Sequence, residues 1–126
     1  MNAKTEGSFG PYTPVMQAGN HYYISGQVGV GPDKQAAADI EGQTHQALQN
    51  LKALLRGHSL EMDSVVKTTV YLTDMSDFEK VNKIYVSYFP EPRPARACVE
   101  VAGLPKIAAN KLLIELEAVA YKGPDS

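Results

Sequence analysis

The amino-acid sequence predicts a single α+β domain, a mixed β-sheet with two helices packed on one of its faces. Strand-like and helix-like segments follow one another in the order β-β-α-β-α-β-β, which is typical of one sheet covered by helices on one side. A composition of 44% apolar and 21% charged residues over 126 positions is ordinary for one globular core. No repeat, low-complexity stretch or long linker divides the chain. Residues 1–126 are therefore predicted to form one domain, with only the first few residues and the tail from Gly123 as loose ends.

A β-hairpin is predicted at the start of the domain. Val15–Ala18 and His21–Val28 are rich in tyrosine, isoleucine and valine, and they flank the turn pair Gly19-Asn20. The first helix is predicted from about Asp39 to Arg56, with Gly57 placed to cap its C-terminus. Its apolar residues recur at helical spacing and predict one buried face, made of Ala47, Leu48, Leu51, Leu54 and Leu55.

A strand and a second helix follow. Ser64–Leu72 is β-branched and roughly alternating, which indicates a strand. Ser76 and Glu79 have the spacing of a capping box, which predicts a helix start, and Pro90 marks its end. The apolar stripe of this helix comprises Phe78, Val81, Tyr85, Tyr88 and Phe89.

The strand predicted from Ala95 to Val101 has an unusually polar face, on which Arg96, Cys98 and Glu100 alternate with alanine and valine. We expect the apolar face of the sheet to pack beneath the helices and the polar face to meet water or another subunit. Because a guanidinium presents two parallel donors, Arg96 is a candidate anchor for a carboxylate or phosphate. The alternative is a surface ion pair with Glu100 or with a glutamate of the next strand.

The strand predicted from Leu112 to Ala120 places Glu115 and Glu117 opposite an apolar face. A carboxylate held beside a cationic anchor can position and deprotonate a water molecule, which would make a hydrolytic site. The alternative is an ordinary solvated strand face. Alternation alone does not distinguish the two glutamates.

Asn82 lies on the apolar stripe of the second helix, where an apolar residue is expected. It is either a functional group or a buried amide that binds a backbone group. Tyr12 and Ser25 carry little signal alone, since a tyrosine near a loop and a serine in a strand are commonplace.

The overall charge and the chain ends exclude several classes of function. A net charge of -2, with both signs mixed along the chain, gives no electrostatic footprint for nucleic acid. No apolar run approaches the roughly 18 residues of a membrane span and no leader is evident, so a cytoplasmic location is expected. The single cysteine, Cys98, cannot form an internal disulfide and fits a reducing compartment. A chain this short also leaves surface for a second copy to cover.

Other familiar chemistries lack their motifs. His21, His45 and His58 are far apart and no ligand spacing is present, so no metal is expected. Cys98 is interpreted as a packed small residue because no base adjoins it in sequence. The glycines after Gly26 match neither a Walker loop nor a dinucleotide fingerprint.

Taken together, the segments resemble the RidA (YjgF) family of reactive intermediate deaminases over nearly the whole chain, from about Gly10 to Tyr121. Each segment is short, but their order and spacing are specific. The matching segments are Gly10-Pro11-Tyr12, Ile24-Ser25-Gly26-Gln27, Val66 to Asp74, Phe78 with Val81-Asn82, Arg93-Pro94-Ala95-Arg96, Cys98 to Val101 and Ile114 to Ala118.

The resemblance implies a chorismate-mutase-like fold assembled as a homotrimer, with the sheets facing inward and three clefts at the subunit boundaries. It also implies that Arg96 binds a substrate carboxylate and that Glu115 positions the hydrolytic water. Residues matching Tyr12, Ser25, Gly26, Asn82 and Cys98 would line the cleft. The implied reaction converts 2-imino or 2-enamino acids to 2-oxo acids and ammonia without a metal or organic cofactor.

One segment departs from that resemblance. The connection through Lys106–Lys111 is about four residues longer than in similar proteins, so we expect it to affect substrate preference if it lies at the cleft mouth. Two alternative functions remain open at this point. One is a regulatory module that binds 2-oxo acids without turnover, and the other is an RNA-directed ribonuclease activity, against which the absence of a basic patch counts.

Overall fold

The computed structural model describes residues 10–124 and has the predicted order of elements. The first nine residues and the last two, where loose ends were predicted, lie outside the described residues. The strands are β1 (Val15–Ala18), β2 (His21–Val28), β3 (Val65–Leu72), β4 (Ala95–Glu100) and β5 (Ile114–Tyr121), and the helices are α1 (Ile40–Gly57) and α2 (Phe78–Tyr88). No helix within residues 10–124 is long and apolar enough to cross a bilayer.

One mixed five-stranded sheet contains all of these strands, in the order β1-β2-β5-β3-β4. Neighbouring strands are antiparallel except β3 and β4, which run parallel because α2 returns the chain between them. The predicted α+β class is therefore confirmed. The last strand, β5, lies at the centre of the sheet, whereas β4 lies at an edge.

The hydrophobic core lies between the sheet and the two helices. Leu48, Leu51 and Leu55 of α1 are at most 1% exposed and pack over the apolar side of β5, which includes Ile114 and Leu116. Burial of each such side chain stabilises the fold by about 1.5–3 kcal/mol relative to leaving it in water. The helical and strand periodicities of the sequence thus meet in one core.

The orientation of β4 differs from the sequence prediction. Arg96 and Cys98 lie on the side covered by α2, and it is Ala97 and Val99 that project from the opposite, open side. The expectation that the more apolar face of this strand packs beneath the helices was therefore wrong. The physical reason is that the surface of α2 that faces β4 consists of aromatic rings and an amide. The long cationic side chain of Arg96 can contact all of these groups, whereas the short side chain of an alanine would leave a gap beside them.

The predicted end of α1 and the predicted start of α2 both need correction. Helix α1 continues through Gly57, and the left-handed residue after it is Ser59 (φ 61°), whose neighbour Leu60 donates its amide to the Leu55 carbonyl (2.9 Å). The Ser76–Glu79 capping box is also wrong, since Ser76 lies in a 3-10 turn that precedes α2 and donates its hydroxyl to Asp74 (2.7 Å). The side chain of Asp74, two residues before Ser76, accepts hydrogen bonds from the amide and the hydroxyl of Ser76, so this hydroxyl does not cap α2.

Gln43 of α1 connects three separate parts of the chain although it is fully buried. Its Nε2 donates to the carbonyls of Ala37 and Lys111, and its Oε1 accepts the amide of Leu113, each at 2.8 Å. Strand β5 begins at Ile114, two residues later than predicted, because the Leu113 amide is bound to this glutamine. The long connection before β5 is also held by a small apolar cluster of Val28, Val30, Ala36 and Leu112, against which Leu104, Ile107 and Ala108 pack.

Candidate active site

The structure divides the candidate site residues into two groups on opposite faces of the sheet. Glu115 pairs with Tyr71 of β3, whereas Arg96 pairs with Thr68 of the same strand. Positions 71 and 68 are an odd number of residues apart, so the side chains of their partners project from opposite faces. Arg96 therefore lies on the helix side, and Glu115 lies on the open side.

The open-side group shares a cleft of about 920 Å³. Tyr12, Ser25, Gly26 and Glu115 all line it, and so does Glu117. Pro105 and Ile107 form part of its wall, so the long connection before β5 lies at the cleft. Four of the predicted site residues are thus brought together here.

Gly26 makes room for the Glu115 carboxylate. The pairing of β2 with β5 is irregular between Ile24 and Gln27, which is the signature of a β-bulge, and Gly26 lies inside the irregular stretch. A Cβ built at Gly26 would collide with the carboxylate of Glu115. The absence of a side chain at this position therefore allows the carboxylate to lie where it does.

Ser25 holds the segment that carries Tyr12 against β2. Its hydroxyl donates to the carbonyl of Thr13 (2.6 Å), and its amide donates to the carbonyl of Pro14 (2.9 Å). Tyr12 is 46% exposed at the rim of the cleft. The Ser25 hydroxyl therefore has a structural role, because it already donates a hydrogen bond to the backbone. The exposed side chain of Tyr12 is the one of the two that a ligand can contact.

Two neighbouring charges set the electrostatics of the cleft. Partial burial raises the pKa of Glu115 above its ordinary value, and the negative charge of Glu117 raises it further. The pKa of Tyr71 is also raised, by burial and then by the charge and hydrogen bond of Glu117. Glu117 is thus engaged with a phenol, while Glu115 is a desolvated carboxylate with a raised proton affinity. Such a group is suited to exchange a proton with a bound water.

Arg96 is held on the helix side by one face of α2. Its Nη1 donates to the side-chain oxygen of Asn82 (2.7 Å). Its Cζ lies over two aromatic rings, 5.4 Å from the centroid of Phe78 and 4.9 Å from that of Tyr85. Of the two alternatives for Asn82, an amide bound to a backbone group is the one that was wrong, because its side-chain oxygen binds the arginine.

Among residues 10–124, no carboxylate lies within ion-pair distance of Arg96. Glu100 accepts the amide of Met75 (2.8 Å), and Glu115 lies on the other face of the sheet. The alternative of an ion pair with a strand glutamate is therefore contradicted. In the part of the chain that the structure describes, the remaining donors of this half-buried guanidinium have no acceptor, and such donors suit an anion.

Cys98 lies next to Arg96 on the same side of β4. Burial raises the pKa of its thiol, and the nearby Arg96 offsets this only in part. The thiol is therefore protonated at neutral pH and packs against the core as a small apolar group. No group of three or more histidine, cysteine, aspartate or glutamate side chains that could hold a metal occurs within residues 10–124.

Comparison with known proteins finds a matching family, similar sequences and similar solved structures. The endoribonuclease L-PSP family matches residues 3–122. A RutC family protein of Pyrococcus horikoshii is 46% identical over 90% of this chain and 88% of its own. The human 2-iminobutanoate/2-iminopropanoate deaminase is 41% identical over 97% of this chain and 88% of its own. The solved structure of Escherichia coli TdcF with bound serine has a TM-score of 0.85 at 35% identity, covering 93% of this chain and 92% of that one.

This chain belongs to the RidA/YjgF family. The family match includes both groups of candidate residues, those around Glu115 and those around Arg96. The resemblance to RidA/YjgF proteins seen in the sequence is therefore confirmed at the level of the family.

The RidA/YjgF resemblance did not point to every residue that shapes the two groups. Phe78 and Tyr85 were assigned to the core stripe of α2, yet both rings lie against Arg96. Gln43 was not singled out, although it holds the segment that leads to Glu115. A signal for Gln43 was present in the sequence, because it is a polar residue four positions before Ala47 on the buried stripe of α1.

Proposed function

We propose that this protein is a hydrolytic deaminase that converts small 2-imino and 2-enamino acids to 2-oxo acids and ammonia. The observation that carries the proposal is the complementary pair of groups, a guanidinium at Arg96 that is bonded to a neutral amide, and a partly desolvated carboxylate at Glu115. The human relative named as a 2-iminobutanoate/2-iminopropanoate deaminase supports the reaction class, and the serine in TdcF supports an amino-acid-like ligand.

In the proposed reaction Arg96 binds the carboxylate of the imino acid through two parallel hydrogen bonds. Glu115 accepts a proton from a water molecule as the water oxygen bonds to C2 of the imine, and it returns that proton to the nitrogen, which gives a carbinolamine. The hydroxyl of the carbinolamine then loses its proton to the nitrogen by way of Glu115 as the C2–N bond breaks, so that ammonia leaves and the carbonyl of the 2-oxo acid forms. An enamine enters after tautomerising to the imine. Orientation and one acid/base group suffice for this addition, so the scheme uses no cofactor.

Because Arg96 and Glu115 project from opposite faces of one sheet, we propose that a complete site forms between two copies of the chain, within a homotrimer that has three equivalent clefts. The open side of the sheet supports this proposal, since it exposes Met16, Tyr23, Val99 and Tyr121 to between 42% and 55%. Large apolar side chains exposed on one face of a sheet are typical of subunit contacts.

Light scattering tests the assembly, and the expected mass is three times that of the chain. A stable monomer that retains turnover would contradict the shared site. Mixing Arg96→Ala chains with Glu115→Gln chains gives a second test, because mixed assemblies would regain sites in which one copy supplies each functional residue. Mixed chains that remain as inactive as either parent would contradict the shared site as well.

Ammonia release from freshly generated 2-aminoacrylate tests the reaction itself. We expect the purified protein to accelerate release and the 2-oxo acid to appear in equal amount. Binding of a 2-oxo acid without any acceleration would instead indicate a regulatory module that uses the same cleft.

A further inference from the structure

The residues of α2 that face Arg96 have a regular spacing. Phe78, Asn82 and Tyr85 stand at i, i+4 and i+7, so they form one row along the helix. The row consists of a ring, a neutral amide and a second ring, and the arginine lies across all three. We call this row the α2 platform.

One ring of the α2 platform, that of Tyr85, is itself fixed. Tyr85 is 4% exposed, and its hydroxyl bonds the hydroxyl of Thr68 at 2.7 Å. The Tyr85 ring also packs on Phe89, with centroids 4.6 Å apart. A guanidinium over aromatic faces is attracted to them and loses rotational freedom, more strongly where water is excluded.

The amide at the centre of the platform accepts a hydrogen bond without neutralising the charge. An aspartate has nearly the same size and shape as Asn82, and at 2.7 Å it would form an ion pair with Arg96. Such a pair would compete with any incoming carboxylate for the same donors. Asparagine therefore orients the arginine and leaves its full charge available.

We propose that the α2 platform is a positioning device for the carboxylate anchor, in which the two rings orient Arg96 and the neutral Asn82 keeps it uncompensated. The inference rests on the proposed function and deepens it by assigning Phe78, Tyr85 and the neutrality of Asn82 to the affinity for carboxylates. None of the three residues needs to touch the reacting atoms. Their effect passes through Arg96.

The decisive variant is Asn82→Asp, because a purely structural role and the platform role predict opposite results. An aspartate keeps the hydrogen bond to Arg96, so a structural role predicts normal or improved function. The platform predicts that binding of 2-oxobutanoate, measured by calorimetry on the assembled protein, weakens at least tenfold, while the melting temperature is maintained or rises. Ser87→Asp is the matched control, since Ser87 is exposed on the same helix and adds the same charge away from Arg96.

The rings are tested by Phe78→Leu against Phe78→Tyr. Leucine keeps apolar volume but removes the aromatic face, and we expect about a tenfold rise in KM with a smaller change in kcat. Tyrosine restores the face and should restore KM. Binding of the neutral methyl ester of 2-oxobutanoate should be nearly equal in all of these variants, because it offers no carboxylate to Arg96.

The experiments distinguish failure of the proposed function from failure of the α2 platform role. If the unmodified protein neither binds 2-oxobutanoate nor releases ammonia, the proposed function fails and the platform role fails with it. If the unmodified protein does both and Asn82→Asp binds 2-oxobutanoate equally well, the platform role alone is overturned. Should Asn82→Asp not fold, a normal KM in Phe78→Leu would overturn it just as clearly.

Discussion

The two halves of the candidate site are built in opposite ways. Around Arg96 the chain adds groups, namely two rings and an amide that hold the guanidinium from α2. Around Glu115 the chain removes one, since Gly26 leaves the space that the carboxylate occupies. The comparison teaches that a long flexible cation is fixed by packing against it, whereas a short carboxylate on a central strand is fixed by where its neighbours leave room.

The largest effect is expected on the packed half. Arg96→Lys keeps the charge but loses the planar fork, and Arg96→Ala loses both, so kcat/KM for carboxylate-bearing imines should fall roughly 10²- to 10³-fold or more. Fold and assembly, followed by circular dichroism and light scattering, should remain intact because Arg96 lies outside the apolar core. Near-normal turnover by a folded Arg96→Lys protein would show that Arg96 is not the anchor.

On the open half, Glu115→Gln should lower kcat roughly 10²-fold or more while binding of a 2-oxo acid changes little, because the amide keeps the shape but cannot accept the proton of water. Glu117→Gln should be mild by comparison. If the two variants lose activity equally, Glu115 has no special role.

The same variant has a consequence for stability. Burial raises the pKa of Glu115, so the folded chain binds the Glu115 proton more tightly than the unfolded chain does. The free energy of unfolding therefore falls as pH rises from the pKa of Glu115 in the unfolded chain through its higher pKa in the folded chain. Glu115→Gln, which has no charge to desolvate, should therefore unfold at a higher temperature than the unmodified protein at neutral pH.

A smaller effect is expected from filling the space beside the carboxylate. Gly26→Ala should displace Glu115 and lower kcat roughly tenfold, with only a modest loss of stability because a flexible side chain can move away. The matched control is Gly57→Ala, since among residues 10–124 no atom beyond its chain neighbours and its own helix backbone lies within 4 Å of a Cβ at that position. That control should keep full activity and gain about 0.5–1 kcal/mol of stability.

The smallest effect concerns the pH profile. Activity that needs the Glu115 carboxylate should decline as pH falls through its raised pKa, and Glu117→Gln should lower that pKa by removing the neighbouring negative charge. The acidic limb of kcat/KM should then move to lower pH, as measured by initial rates across the acid range. Glu61→Gln, which removes an exposed carboxylate that pairs with Arg56, should leave the limb in place.

Most of the fold follows from the sequence because its elements have clear periods. The leucines of α1 and the alternation in β5 each match one burial pattern, and the structure has both. The orientation of β4 did not follow, because alternation assigns residues to two faces without saying which face is covered. Only the α2 platform decides that, and its contact with Arg96 joins residues 14 positions apart.

The candidate site shows the same limit. A polar residue on a buried stripe marked Asn82 as unusual, and the identical signal was present at Gln43. Neither signal names the partner, since in one case it is a guanidinium and in the other the partners are backbone groups 6, 68 and 70 positions away. That Arg96 and Glu115 lie on opposite faces needed the register of three strands, which no local pattern contains.

The three hydrogen bonds of Gln43 separate two properties that are usually coupled, the length of a connection and the register of the strand after it. Because the Leu113 amide is bound to α1, residues can be gained or lost between Val101 and Lys111 without sliding β5 against β2 and β3. The wall of the cleft at Pro105 and Ile107 can therefore vary while Glu115 stays in place, provided that the apolar contacts of the connection with Val28, Val30 and Ala36 are kept. For evolution and for protein engineering, this connection is a place where one loop can be replaced by another. The position of the carboxylate beside it does not depend on the length of the loop.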